Sequence, residues 1–222
     1  MRRARLPLLA AALLLPARPA PADAPARSQW VLATAKATGQ GGEQFVSSLR
    51  IVNPGAEAAG VTVTYLAQSL IDGSNAASGD NTGAATAHLT VAGGETLAVE
   101  DVLGTLFGAG LAPFGVPAGG LHVTSDRPVS VLSRTFVANA VSSTGVPGTY
   151  GFSIPAQVED QAVSPGDTAF VSYVAASPDA RSGFRSNFIM LNTSSSPTVV
   201  NVDLRKGDGT SVGNRDYNLG RL

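Results

Sequence analysis

The sequence predicts an all-β protein, an antiparallel β-sandwich (immunoglobulin-like or related) with one short capping helix. Three observations carry that expectation. Apolar and hydroxyl-bearing residues alternate with period two along many short segments, as strands with one dry and one wet face require. Clusters of Gly, Pro, Asn and Asp separate those segments at short intervals. The composition agrees: of 222 residues 44% are hydrophobic, 25 are Gly and 14 are Pro, while only 14% are charged, against roughly 25% in an average soluble domain.

That balance also bounds function. With 21 Ser and 17 Thr the hydroxyls outnumber the formal charges, so neutral groups must wet most of the surface. So few Lys and Arg exclude a nucleic-acid footprint. Low charge and plentiful β-branched residues argue against disorder.

Taken from the N-terminus, the first element is an address. Arg2, Arg3 and Arg5 precede an apolar run over residues 6–15, and Ala20-Pro21-Ala22 supplies a small-x-small cleavage signal. This is the three-part layout of a secretory signal peptide over residues 1–22. The run is interrupted by Pro7 and is too short to cross a bilayer, so no membrane span is expected. Cleavage after Ala22 removes four arginines and leaves a formal charge of −5, which favours solubility and disfavours anionic partners. The chain has no Cys. An exported protein without Cys has no disulfide framework, and thiol catalysis and thiolate metal sites are excluded. The expected location is secreted, periplasmic or extracellular.

Strands follow. Val61, Val63 and Tyr65 share one face with Thr62 and Thr64 opposite, and Ala85, Ala87, Leu89 and Val91 alternate with Thr86, His88 and Thr90. Leu121 and Val123, then Val129 and Val131, repeat the pattern on either side of a turn signal at Asp126-Arg127-Pro128. Other turns are expected at Asn53-Pro54-Gly55, Gly93-Gly94, Pro165-Gly166-Asp167 and Gly207-Asp208-Gly209. One segment breaks the alternation. Val102, Leu103, Leu106 and Phe107 fall at helical spacing between an acidic start, Glu100-Asp101, and a stop at Gly108, which predicts a two-turn helix capping one open end of the sandwich. Residues 70–84 are expected to form a long polar loop.

The chain also repeats itself. Residues 45–66 align without gaps on 184–205, with Phe45/Phe184, Ser47/Ser186, Asn53/Asn192, Val61/Val200 and Val63/Val202 identical. Upstream, Val31-Leu32 falls on Phe170-Val171 at the same offset. Chance likeness between two alternating hairpins is the bland account; the Asn turn and both flanking strands held in one register favour duplication. Residues 23–160 are then a first β-sandwich module. Residues 161–222 are either a partial second copy or strands completing one single sandwich. A curtailed copy would leave an open strand edge, and with it a route to self-association.

Residues 45–54 with 61–65, Val91-Ala92-Gly93-Gly94, Glu100-Asp101-Val102, residues 121–128 and Ser133-Arg134-Thr135 together resemble a β-sandwich module. That module recurs in exported bacterial proteins, often beside proteases or in tandem, and is similar to the sensory-rhodopsin-transducer type of sandwich. The resemblance covers about residues 30–155 and again from Phe170 onward. It implies an extracellular accessory or adhesion-like module of unassigned activity, with no catalytic residues to transfer.

Candidate chemistry is thin. Gly209-Thr210-Ser211-Val212-Gly213 matches the nucleophile-elbow spacing, yet no His follows Ser211 in the chain and the context is a hairpin. His88 and His122 fall on polar strand faces without acidic neighbours at ligand spacing. Glu100-Asp101 and Glu159-Asp160 are adjacent pairs, whereas glycoside hydrolysis needs carboxylates facing across a cleft; a helix start and a solvated linker suit them better. The polar loops 72–81 and 208–216 match no calcium-loop spacing, and no phosphate-cradling motif occurs. No catalytic residue, metal ligand or cofactor is therefore assigned. Among the aromatics, Trp30, Tyr150 and Tyr217 are the candidate ligand-binding residues, as sugar-stacking platforms, with Trp30 alternatively an anchor for the first strand. Tyr173 is a weaker candidate, and Tyr65 falls on an apolar face and reads as core.

The expected function is a secreted, non-enzymatic structural, adhesion or accessory-binding module of the bacterial cell exterior, with polysaccharide or an extracellular protein as partner. A carbohydrate-binding protein is the alternative, and an unrecognised hydrolase comes third.

Overall fold

Alternating apolar residues need a layer to face, and the computed structural model supplies one by folding a few long strands across two sheets. It describes residues 24–39, 42–67, 81–108, 118–172, 174, 175, 177, 186 and 188–222. The signal-peptide expectation, Tyr173, Phe184 and most of the 70–84 loop lie outside them. In chain order the elements are β1 (Ala26–Thr38), β2 (Gln44–Val52), β3 (Ala59–Ala67), β4 (Thr86–Val91), β5 (Thr96–Val99), α1 (Val102–Leu106), β6 (Ala118–Val141), β7 (Pro147–Pro155), β8 (Thr198–Arg205) and β9 (Ser211–Leu219). Strand pairing is antiparallel throughout. The class is all-β, sandwich- or barrel-like, as the alternation predicts.

The organising element is β6. Its first part pairs β3 (Val63 opposite Val123) and β1 (Val31 opposite Leu121). Its second part pairs β2 (Ile51 opposite Val131) and β7 (Val137 opposite Tyr150). β1 changes partner in the same way, from β6 to β2 at Lys36. Strands that pass from one layer to the other close a sandwich at its corners.

This corrects one expectation. Asp126-Arg127-Pro128 does not turn the chain back; β6 runs straight through it as one strand of 24 residues. Pro128 is tolerated because pairing to β3 ends at Ser125 and pairing to β2 starts at Ser130, so its missing N–H falls between two ladders. Buried Gln29 stitches the crossing: its amide donates to Val129 O at 2.6 Å and accepts from Val131 N at 3.3 Å. Asp126 holds the other flank by accepting from Gly60 N at 2.8 Å.

The core lies between the layers, built by Val31, Leu49, Ile51, Val61, Val63, Leu121, Val123 and Val131, all essentially inaccessible. At roughly 1.5–3 kcal/mol per fully buried aliphatic side chain, these positions dominate the folding energy. Tyr65 is core as expected, and its hydroxyl donates to Ala118 O at 2.8 Å.

The helix is present but shorter than predicted, a five-residue turn of helix. Glu100 and Asp101 stand before it rather than inside its first turn, with Asp101 as the N-cap accepting from Gly104 N at 2.8 Å. The same carboxylate takes Lys36 Nζ at 2.6 Å. Val102, Leu103 and Phe107 turn inward, and the Phe107 ring sits 5.7 Å from that of Tyr65.

The two aligned Asn turns are built alike. Asn53 Nδ2 donates to Glu57 O (2.8 Å) and Val91 O (3.0 Å), while its Oδ1 accepts from Gly55 N (3.0 Å). Asn192 Nδ2 donates to Ser196 O (2.7 Å) and Gly220 O (2.9 Å), and its Oδ1 accepts from Ser194 N (3.0 Å). Register is kept too, since Val61 faces Leu89 and Val200 faces Tyr217. Gly94, at φ +73°, then closes the first turn by donating to Gly55 O, as Leu222 does to Ser194 O. The β8–β9 hairpin forms its own two-stranded sheet and does not extend the larger one.

Candidate binding surface

The three aromatic residues singled out from the sequence occupy three unlike environments. Trp30 is only 3% exposed, so it offers no open face to a ligand. Its indole stacks on the His122 imidazole, with centroids 3.7 Å apart and planes 5° from parallel. The cause is tertiary: after β7 the chain returns across β1, and Trp30 N and O bond Gln157 O and N at 2.7 and 2.8 Å. Trp30 thus anchors the first strand. Its Nε1 is buried without a hydrogen-bond partner among the described residues, a cost of about 1–3 kcal/mol that packing must offset.

His122 is correspondingly changed. Burial pushes its pKa below the usual value, opposed by the negative charge of Glu159 on the returning segment. Its Nε2 meets Ser28 Oγ at 2.9 Å. His88, by contrast, is exposed and bonded through Nδ1 to Thr62 Oγ1 at 3.1 Å.

Tyr217 is half-buried on β9, with the Arg215 guanidinium 5.3 Å from its ring centre. Tyr150 is different. It is 60% exposed on β7, on the side of the sheet where Val137 opposite it is buried. Two residues on, Phe152 shares that side, lies opposite buried Thr135 and is 56% exposed. Period two therefore aims both rings toward the interior side of the sheet, yet on this edge strand they are open to solvent. Sequence reasoning found Tyr150 and missed Phe152; their spacing of two in a Gly-rich segment was the available signal.

On the reverse face Arg134 lies 4.8 Å from the Phe136 ring centre and donates to Thr149 Oγ1 at 3.1 Å. Gly151 lets the two strands approach closely here, since any Cβ would overlap Phe136 Cα and Cβ and Thr135 O. The margin thus carries aromatic surface on both faces of the β6–β7 pair. Such surface suits stacking on sugar rings or packing against a protein.

Other candidate chemistry has structural partners. Ser211 donates to Asp203 Oδ1 at 2.6 Å, and this hydroxyl is the main cause that holds the Asp203 carboxyl below its usual pKa. The serine of the Gly-x-Ser-x-Gly match therefore braces a hairpin. Glu100 pairs with Arg50, and Arg127 with Glu57. Among the described residues no three His, Asp or Glu side chains gather as a metal-holding group, and no helix is long and apolar enough to cross a membrane.

No protein-family model matches the chain, and no curated protein matches it significantly. Among solved structures it is similar to one described as "Crystal Structure of Thermotoga maritima 1070", at 14% identity over 61% of this chain and 96% of that one, with a TM-score of 0.39. A likeness of that degree carries no functional argument.

Proposed function

We propose that the chain is a secreted, non-enzymatic structural, adhesion or accessory-binding module of the bacterial cell exterior, and that the aromatic margin of β7 is its contact surface. The observation that carries this reading is the pair Tyr150 and Phe152, open to solvent on the side of a strand whose neighbours are buried. Exposed aromatics held on a fixed strand give contact area at low entropic cost. The basic start, apolar run and small-residue signal before Asp23 support export. The hydroxyl-rich composition supports neutral partners, polysaccharide or another extracellular protein.

Retention of the chain on insoluble polysaccharides and on bacterial envelopes tests this. Tyr150→Ala with Phe152→Ala should abolish most of the retention, whereas Tyr217→Ala should leave it. Competition by free sugar would specify a carbohydrate-binding protein. Unchanged retention by the double variant, or release of soluble product from the polysaccharide, would overturn the proposal.

A further inference from the structure

Lys36, Arg50, Arg127 and Arg205 each meet a carboxylate within the chain. Arg134 meets none among the described residues, yet its guanidinium is held in place. It lies 4.8 Å from the Phe136 ring centre and donates to Thr149 Oγ1 at 3.1 Å. A ring face and one neutral oxygen use only part of the guanidinium's donors and leave its charge unanswered. A side chain tethered in this way has already given up rotamer freedom, so an arriving anion has less to order.

Strand register places its surroundings. Ser47 turns into the core, where its hydroxyl meets Thr135 Oγ1 at 2.7 Å, so the next residue, Ser48, is on the outward face of β2. Ser48 stands opposite Arg134 on one side and Ser153 opposite it on the other, in one row across β2, β6 and β7. Side chains directly opposite each other in such a row have Cβ atoms about 4.5–5.5 Å apart. Ser153 is exposed. Ser48 is 4% exposed, and its hydroxyl has no hydrogen-bond partner among the described residues. Arg50 shares this face one row away, opposite Leu132, and there Glu100 already answers the charge at 2.5 Å.

We infer that Arg134, with the Ser48 and Ser153 hydroxyls beside it, is a binding site for a carboxylate-bearing sugar, a uronic acid unit of an acidic polysaccharide. The site rests on the polysaccharide reading proposed above and specifies the unit recognised. A guanidinium matches a carboxylate through two parallel hydrogen bonds. Hydroxyls spaced along a flat strand row suit the ring hydroxyls of a sugar, whereas an extended peptide would need alternating side-chain pockets. The formal charge of the chain is −1, so it exerts no general attraction on polyanions, and capture of one needs a local site.

The test titrates the isotope-labelled full chain with trigalacturonate and follows the Arg134 side-chain N–H by NMR. The expected result is a saturable shift there and at the Ser48 and Ser153 amides. The fully methyl-esterified trimer and a triglutamate peptide should each bind roughly tenfold more weakly or worse, the first for want of a charge and the second for want of ring hydroxyls. Arg134→Gln should weaken trigalacturonate about tenfold, and Arg134→Lys should recover only part of the loss, because an ammonium cannot form the two parallel bonds. Arg127→Gln makes the same change of charge away from this face and should leave the affinity unaltered; the dispersed spectrum of each variant checks its fold. Three results would overturn the assignment: no shift at Arg134, equal binding of the esterified trimer or the peptide, or equal weakening by Arg127→Gln. Retention on neutral polysaccharide is read through Tyr150 and Phe152, so it can persist while this site fails; loss of all retention together with an unmoved Arg134 would refute both.

Discussion

Replacing Asn53 by Ala removes three hydrogen bonds at once, two donated by Nδ2 and one accepted by Oδ1. The side chain is fully buried. Each bond contributes about 1 kcal/mol net, for a total of roughly 3 kcal/mol. For a domain of this size that lowers the Tm by roughly 6–12 °C. Asn192→Ala deletes the same three kinds of bond at a turn that is largely open to water. There water replaces each lost partner, and the expected cost is about 1 kcal/mol or less. Asn192 also accepts from Ser194 Oγ at 2.9 Å, so a smaller cost there despite one more bond lost reports desolvation. Calorimetry and urea unfolding measure the first; hydrogen exchange of β8 and β9 measures the second, whose opening is local. Equal costs for the two substitutions would refute the reasoning, because burial would then not set the price of the turn.

Three further outcomes follow from the same geometry. Leu49→Ala should cost about 2–5 kcal/mol by opening a cavity in the core, while Phe188→Ala, at the aligned but half-exposed position, should stay within about 0.5 kcal/mol; urea midpoints of both variants check this. Asp101→Ala should cost about 1 kcal/mol through loss of the helix cap, seen as faster exchange at Gly104 N–H. His122, its pKa lowered by burial, favours the neutral ring in the folded state. Its contribution is present above the ordinary histidine value of 6.5 and is lost as pH falls through the lower folded value. Thermal stability should therefore decline on acidification from about pH 6.5 down to that lower value and level off below it, and His122→Gln should flatten the decline.

Much of the fold is written in local pattern. Val61, Val63 and Tyr65 declare an inner face by period two alone, and the spacing of Val102, Leu103, Leu106 and Phe107 declares a helix. The repeat is legible because an Asn at one fixed place between two alternating strands recurs in register, its side chain bonding backbone groups two and four residues on whatever those residues are. What local pattern does not hold is which strand continues into which. Asp126-Arg127-Pro128 has the composition of a turn, and the partners that carry the strand through it are distant, Gln29 some hundred residues away and Gly60 on the other flank. Trp30 is an outward-facing aromatic by alternation and becomes buried only because residues near Gln157 return over it. Tyr150 and Phe152 show the converse, inward-aimed by period two yet open on an edge strand. Position within the sheet, not residue type, decides both cases.

The stack of Trp30 on His122 gives the protein an optical signal of its own. Trp30 is the only tryptophan in the chain, so all indole emission comes from a ring lying face to face with a titrating imidazole. A neutral imidazole is a poor electron acceptor and an imidazolium a good one, so protonation at van der Waals distance quenches the excited indole. Emission intensity at fixed temperature then reports the charge on one named side chain, with no label attached. A midpoint below that of free histidine, paired with full intensity across the acid range in His122→Gln, would turn an interior contact into a calibrated gauge of how firmly the returning segment is seated over β1.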